Sequence, residues 1–373
     1  MDVQFTYDTQ PQVMEAVVAG TGVVSHSANL RAVYVSTGGT ASGASCRFTS
    51  KFYVPYTPGN SQLVFLTGAL NPDNVSMANS YTEIGYGDDK NGIGFRMDAN
   101  GVSVFIRTTI SGTTSLVQYY QDEWQAAKSG VDWTKSQIFG MDVQSLAVGR
   151  VRFFLDRAGV VIPIHSIRND NIRTGPYWQM ASLPIYWMAH NSALAGVTAR
   201  VLAVCGTVKS EGGGSLFSMP GFPFTAYTTS AHTISSTLVP IISICNAATI
   251  NSLTNRQITI PTLLDVFALS QPIMVRVLLN PTSLTTVSWV AAGSNSGVQY
   301  DVSATAVSGG TVISSFYVTA DNRGGSSGVD LTGRVPLSLD FAGTSSAVLT
   351  VAAIRAGAVD ATAHATISGR EIR

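Results

Sequence analysis

The chain's apolar residues come in short β-branched and aromatic runs, each soon broken by Gly, Ser, Thr, Asn or Pro, and they almost never recur at helical spacing. That pattern excludes helix bundles and alternating α/β folds, and predicts an all-β protein. Arg47–Val54, Gln62–Thr67 and Gly149–Leu155 are typical, with Phe48 and Phe52 on one strand face. Gly94–Met97 and Val102–Arg107 flank Asp98-Ala99-Asn100-Gly101, whose Asn-Gly suits a tight hairpin. One short helix is expected, Tyr120–Lys128, because Gln121-Asp122-Glu123 supplies acidic residues at its start.

Around Ser210-Glu211-Gly212-Gly213-Gly214-Ser215 the composition changes to that of a flexible linker, followed by a Pro-, Gly- and Phe-rich stretch to Phe224. The expected organisation is a β-sandwich over residues 1–210, a linker over 211–235 and a smaller β-sandwich over 236–373. In the last segment strands are expected at Thr237–Cys245, Arg256–Pro261, Ile273–Leu279, Leu284–Val290, Val298–Val307, Thr311–Thr319, Pro336–Phe341 and Ala347–Ile354, with a hairpin turn at Ser308-Gly309-Gly310.

Charge narrows the function. Lys plus Arg number 22 and Asp plus Glu 22, a net charge of zero, and charged residues are 12% of the chain, about half the usual share. A basic nucleic-acid-binding surface is therefore not expected, whereas a neutral, sparsely charged surface favours association with copies of the same chain. No apolar stretch is long enough to span a membrane, and Met1–Thr6 has neither the basic nor the apolar region of a secretory signal, so synthesis and folding in a cytoplasm are expected. Cys46, Cys205 and Cys245 are odd in number and far apart, which suits reduced thiols.

Few residues offer chemistry. A sandwich becomes a glycosidase when one strand carries two carboxylates two residues apart, which places acid and nucleophile on one face. In Tyr81–Gly87 only Glu83 is acidic, and its same-face neighbours are Gly85 and Gly87. No catalytic residue is therefore assigned. Glu83, Asp88 and Asp89 could together offer oxygens to Ca²⁺, against the alternative of a solvated turn with Lys90 opposing a cation. Gly324–Gly328 has the letters of a nucleophile elbow without its strand and helix. The five histidines lack metal-binding spacing, and no phosphate-cradling motif is present, so no cofactor is expected beyond a Ca²⁺ ion. Tyr177 and Trp178 follow the loop Arg168–Asn171 and are the candidate glycan platform, against a role in the core.

Several stretches taken in order resemble segments of virion structural proteins of tailed bacteriophages: Pro58–Gly68, Ile84–Phe95, Asp132–Ile138, Gly149–Phe154, Val161–Ile167 and Leu183–Ile185. They span most of residues 45–190, and Val239–Ile244, Gly297–Ala304 and Gly309–Ile313 are similar to later segments of such proteins. The resemblance implies a concanavalin-like, lectin-type jelly-roll sandwich in a virion protein, most plainly a tail fibre or tail appendage subunit for assembly and host-surface attachment. Capsid decoration or a head fibre is the nearest alternative, and a glycan-binding or glycan-degrading module (a depolymerase) is another. The implied partners are copies of the chain, other virion proteins and a host-surface glycan, with no nucleic acid and no membrane insertion. The resemblance transfers no catalytic residue.

Overall fold

Alternating strands with one apolar face must bury that face against another sheet, and this chain does so twice. The computed structural model describes all residues except 111, 127–129, 145–147, 173, 212–220, 321–326 and 334. It divides into two units, Met1–Gly214 and Ser215–Arg373.

The first unit has an eight-stranded and a seven-stranded sheet. The order in the former is Val160–Ile167, Val151–Arg157, Gln137–Val143, Gln62–Ala69, Arg200–Ser210, Ala32–Ser36, Val23–Ser27, with Asp2–Gln4 also on Arg200–Ser210. In the latter it is Ser115–Tyr120, Gly101–Thr108, Gly92–Asp98, Ser80–Gly87, Ile185–Asn191, Ser45–Ser50, Met14–Ala19. The sheets face each other through large rings. Phe95 packs on Phe139 and Phe153 at 4.8 and 5.7 Å, and Trp187 meets Phe5 edge-on at 5.7 Å. These belong to one buried core with Ile84, Tyr86, Val104 and Leu66.

In the second unit a five-stranded sheet (Phe222–Tyr227, Ala361–Ile372, Ile258–Ala268, Ser327–Asp330, with His232–Ile234 also on Ala361–Ile372) accompanies a six-stranded one. The latter runs Val290–Ala291, Val298–Asp301, Val239–Asn246, Val348–Arg355, Ile273–Leu279, Thr311–Val318. One core joins them, made of Ile, Val and Leu with Ala361, Ala363 and Ala365. No helix among the described residues is long and apolar enough to cross a membrane.

The all-β class and the two sandwiches are as expected, and the Asp98–Gly101 hairpin forms with Gly101 at a φ of 106°. Other expectations need correction. The expected linker 211–235 holds two strands, Phe222–Tyr227 and His232–Ile234, both paired with Ala361–Ile372, so the second unit begins before residue 236; residues 212–220 of that linker lie outside the described set. Gln121–Glu123 is a turn that leads into no helix, while residues 127–128 of the expected helix lie outside the described set. Gly309 and Gly310 do turn the chain with positive φ, but Ala306–Ser308 pairs with Ser283–Thr285 and Thr311–Val318 with Ile273–Leu279, so the turn joins different sheets. Pro336–Phe341 makes only isolated bridges at Leu337 and Leu339.

Candidate functional site

On Ser80–Gly87 the side chains of Ile84 and Tyr86 enter the core, so alternation places Glu83, Gly85 and Gly87 on the outer face of the seven-stranded sheet. Antiparallel register then sets the neighbours. Glu83 lies opposite Met188 on one side and Arg96 on the other, Met188 opposite Arg47, and Arg96 opposite Ser103. One row further along the strands, Tyr186 lies opposite Gly85 and Phe105 opposite Gly94. Both glycines make room for rings, since a Cβ on Gly85 would stand 3.0 Å from the Tyr186 ring and one on Gly94 2.9 Å from that of Phe105.

The rings and arginines close over Glu83. Arg107 Nη2 donates to its two oxygens at 2.9 and 3.0 Å, Arg96 Nη1 donates to Oε1 at 3.1 Å and the Tyr186 hydroxyl to Oε2 at 2.7 Å. The Arg47 guanidinium lies 3.7 Å from the Tyr186 ring centroid. Burial alone would push the Glu83 carboxyl up, but Arg107, Arg96, the Tyr186 hydroxyl and Arg47 outweigh it and hold it at about 2. Burial and the Glu83 charge push the Tyr186 phenol up in turn, so it remains a donor. Glu83 is thus a fixed anion with its lone pairs occupied, suited neither to give a proton nor to take one.

Beyond Arg96 the face opens. Its guanidinium sits 3.5 Å from the Tyr81 ring centroid, and Tyr81 packs against His190 with the rings tilted by 33° and their centroids 4.8 Å apart. Burial and Arg96 lower the His190 imidazole, leaving it neutral at neutral pH. Asp98 receives Arg96 Nε, Gln118 Nε2 and the Tyr120 hydroxyl. The result is a half-buried row of aromatic rings, amide and guanidinium.

The candidate calcium ligands are committed to separate protein donors. Glu83 is enclosed as described. Asp88 Oδ1 accepts from the Lys90 and Asn91 amides at 2.8 Å and Oδ2 from the Tyr53 hydroxyl, which makes it the cap of the Asp88–Asn91 turn. Asp89 is 72% exposed and pairs with Arg47. Among the described residues no group of three or more His, Cys, Asp or Glu could hold a metal ion. Tyr177 and Trp178 are 0% and 4% exposed and belong to the core of the first sandwich, so the exposure expected of a glycan platform is not found there. Trp178 Nε1 donates to the Arg107 carbonyl and Thr108 Oγ1 to that of Tyr177, which draws the loop onto the sheet. Most of Gly324–Gly328 lies outside the described residues.

Sequence reasoning missed the arginines, although a signal was available. Once Asp98 is paired with Gly101, the register puts Arg96 and Arg107 on the face opposite Phe95, Val104 and Ile106.

Strand order and facing sheets define the class: an all-β chain with a two-sheet β-sandwich over its first unit and a second, smaller β-sandwich after it. No family model matches the chain, and no curated protein matches it in sequence. Among solved structures it is similar to a legume lectin-like domain from Entamoeba histolytica (9% identity, 57% of this chain and 97% of that one, TM-score 0.34). It is similar also to an endo-β-1,4-glucuronan lyase from the fungus Trichoderma reesei (10%, 56% and 94%, TM-score 0.39) and to a β-glucanase of Bacillus licheniformis (11%, 57% and 97%, TM-score 0.34). At such identities and scores these likenesses do not bear on what this chain binds or does.

Proposed function

We propose that the chain is a non-catalytic attachment protein whose first sandwich recognises a carbohydrate and does not cleave it. The observation that carries this reading is the enclosure of Glu83, whose two oxygens are filled by Arg107, Arg96 and Tyr186. Hydrolysis of a glycoside needs one carboxyl that keeps a proton and another free to attack or to activate water, and an anion held at about 2 serves neither need. Recognition asks less: rings to stack on sugar faces and polar groups to meet hydroxyls. The row of His190, Tyr81, Arg96, Asp98, Gln118 and Tyr120 supplies both. The resemblance of residues 45–190 to segments of tailed-phage virion proteins supports the proposal that this role is exercised on a tail fibre or tail appendage facing a host-surface glycan.

The test is titration of a glycan panel, neutral and acidic, against the wild-type chain, Tyr81→Ala and Glu83→Gln, with reducing ends assayed in parallel. Binding that weakens at least tenfold in Tyr81→Ala, with no reducing ends released, is expected. Release of reducing ends that Glu83→Gln abolishes would overturn the reading. Immunogold labelling of virions separately tests the location, and label confined to heads would remove the tail assignment.

A further inference from the structure

We infer that the strand Met14–Ala19 pairs with the same strand of a second copy, joining two seven-stranded sheets into one continuous sheet. This strand ends its sheet, with Ser45–Ser50 on one side and no strand among the described residues on the other. Lys51 N donates to Val13 O at 2.9 Å, and bonding alternates along an antiparallel pair. Val13, Glu15 and Val17 therefore face Ser45–Ser50, while Ala16 and Val18 turn their N–H and C=O groups outward. Its register against Ser45–Ser50 runs from Met14 to Ala19 without a shift. Val17 and Val18 are 37% and 48% exposed, and the strand holds no Lys, Arg or Pro. A straight edge of this kind, with Glu15 its one charged residue and neither proline nor bulge, is a template for another strand.

The other terminal strands of six or more residues are protected. At the opposite end of the same sheet Tyr120 gives its N–H to the Glu123 carboxylate and its C=O to the Glu123 amide. Val160–Ile167 carries Pro163 and an extra residue at Ile164, Phe222–Tyr227 carries Pro223, and Thr311–Val318 carries an extra residue at Ile313.

A second copy fits the edge by charge as well as shape. With the two-fold axis at Val17, Ala16 and Val18 exchange backbone hydrogen bonds with Val18 and Ala16 of the other copy, Val17 meets Val17, and Glu15 lies opposite Ala19. No like charges oppose each other across the axis, and a net charge of zero leaves the copies without long-range repulsion.

Light scattering on the full chain tests this, with Val17→Glu and Val17→Lys each alone and then mixed. The wild type is expected at twice its 39.3 kDa chain mass, each variant alone at half the wild-type value because like charges meet at the axis, and the equimolar mixture back at the wild-type value. A monomeric wild type at all concentrations, or variants that keep the wild-type mass, would overturn the inference. Should the variants not fold, amide exchange of the wild type decides. Protection of the Ala16 and Val18 amides that fades on dilution supports the pairing, and fast exchange at every concentration overturns it. Because the readout is mass and protection, failure here leaves the carbohydrate test untouched.

Discussion

The two sandwiches differ in the largest and smallest side chains they bury among their aliphatic residues. The first fills its core with Trp187, Phe95, Phe139, Phe153 and Phe48, whereas the second sets Ala361, Ala363 and Ala365 along its longest strand and closes its sheets over them. Each also buries a glutamate, in different company. Glu83 is held by two arginines and a phenol; Glu371 accepts from Ser296 Oγ at Oε1, from the Gly297 amide at 3.0 Å and from Arg373 Nη2 at 2.8 Å. A core of large rings is sensitive to deletion, and a row of buried alanines within an aliphatic core is sensitive to enlargement. A carboxylate caged by cations depends on them for its charge, whereas one held largely by neutral donors depends less on any single partner.

Removing Arg107 is the strongest way to break that contrast. Arg107→Ala leaves the Glu83 charge buried without its main counter-ion and should cost about 3–5 kcal/mol, seen as a large fall in the denaturant midpoint at pH 7. A loss below about 1 kcal/mol would mean that Arg96 and Tyr186 suffice. Trp187→Ala should cost about 3–5 kcal/mol through the cavity it leaves, while Ala363→Leu in the second unit should cost about 1–3 kcal/mol through overpacking. A reversed order in urea unfolding would remove the distinction between the cores. Glu371→Gln keeps an acceptor for the Gly297 amide, while its new amide group donates to Ser296 Oγ instead of accepting from it, so it should cost only about 1–2 kcal/mol. Calcium is the smallest effect: with Glu83, Asp88 and Asp89 committed to protein donors, millimolar Ca²⁺ should leave the melting temperature unchanged, and a rise of several degrees would restore the metal reading.

How much of this was legible in sequence differs between strands. Ile273–Leu279 and Thr311–Val318 stood out because β-branched and aromatic residues set their alternation. Ala361–Ile372 did not, because Ala-Thr-Ala-His-Ala-Thr alternates in size and polarity too weakly to register as a strand, though it anchors its sheet. The 211–235 stretch looked like a linker since the partner of its strands lies near the end of the chain, beyond the reach of any local pattern. The lack of a same-face carboxylate near Glu83 could be read at once from Gly85 and Gly87. Its cage could be read only in part: the Asp98–Gly101 hairpin sets Arg96 and Arg107 on one face, but Arg47 and Tyr186 come from two further strands that no local pattern brings beside them. Tyr177 and Trp178 were misplaced for the same reason: a loop position suggested exposure, and bonds to Arg107 and Thr108, distant in sequence, bury them.

The charged cage also fixes a pH dependence. The Glu83 carboxyl falls from an ordinary value of 4.5 to about 2 on folding, so the unfolded chain binds the proton more readily. Its stabilisation is complete above about 4.5 and is lost as pH falls through about 2. The most direct measurement is a ¹³C NMR titration of the side-chain carboxyl in glutamate-labelled protein, with the Glu83 signal assigned by its absence in Glu83→Gln. A chemical shift that stays flat from pH 8 to pH 4 and moves only near pH 2 is the predicted result. A midpoint between pH 5 and 7 would contradict the account, since a glutamate titrating there is poised to donate a proton and the face around it would be an active site.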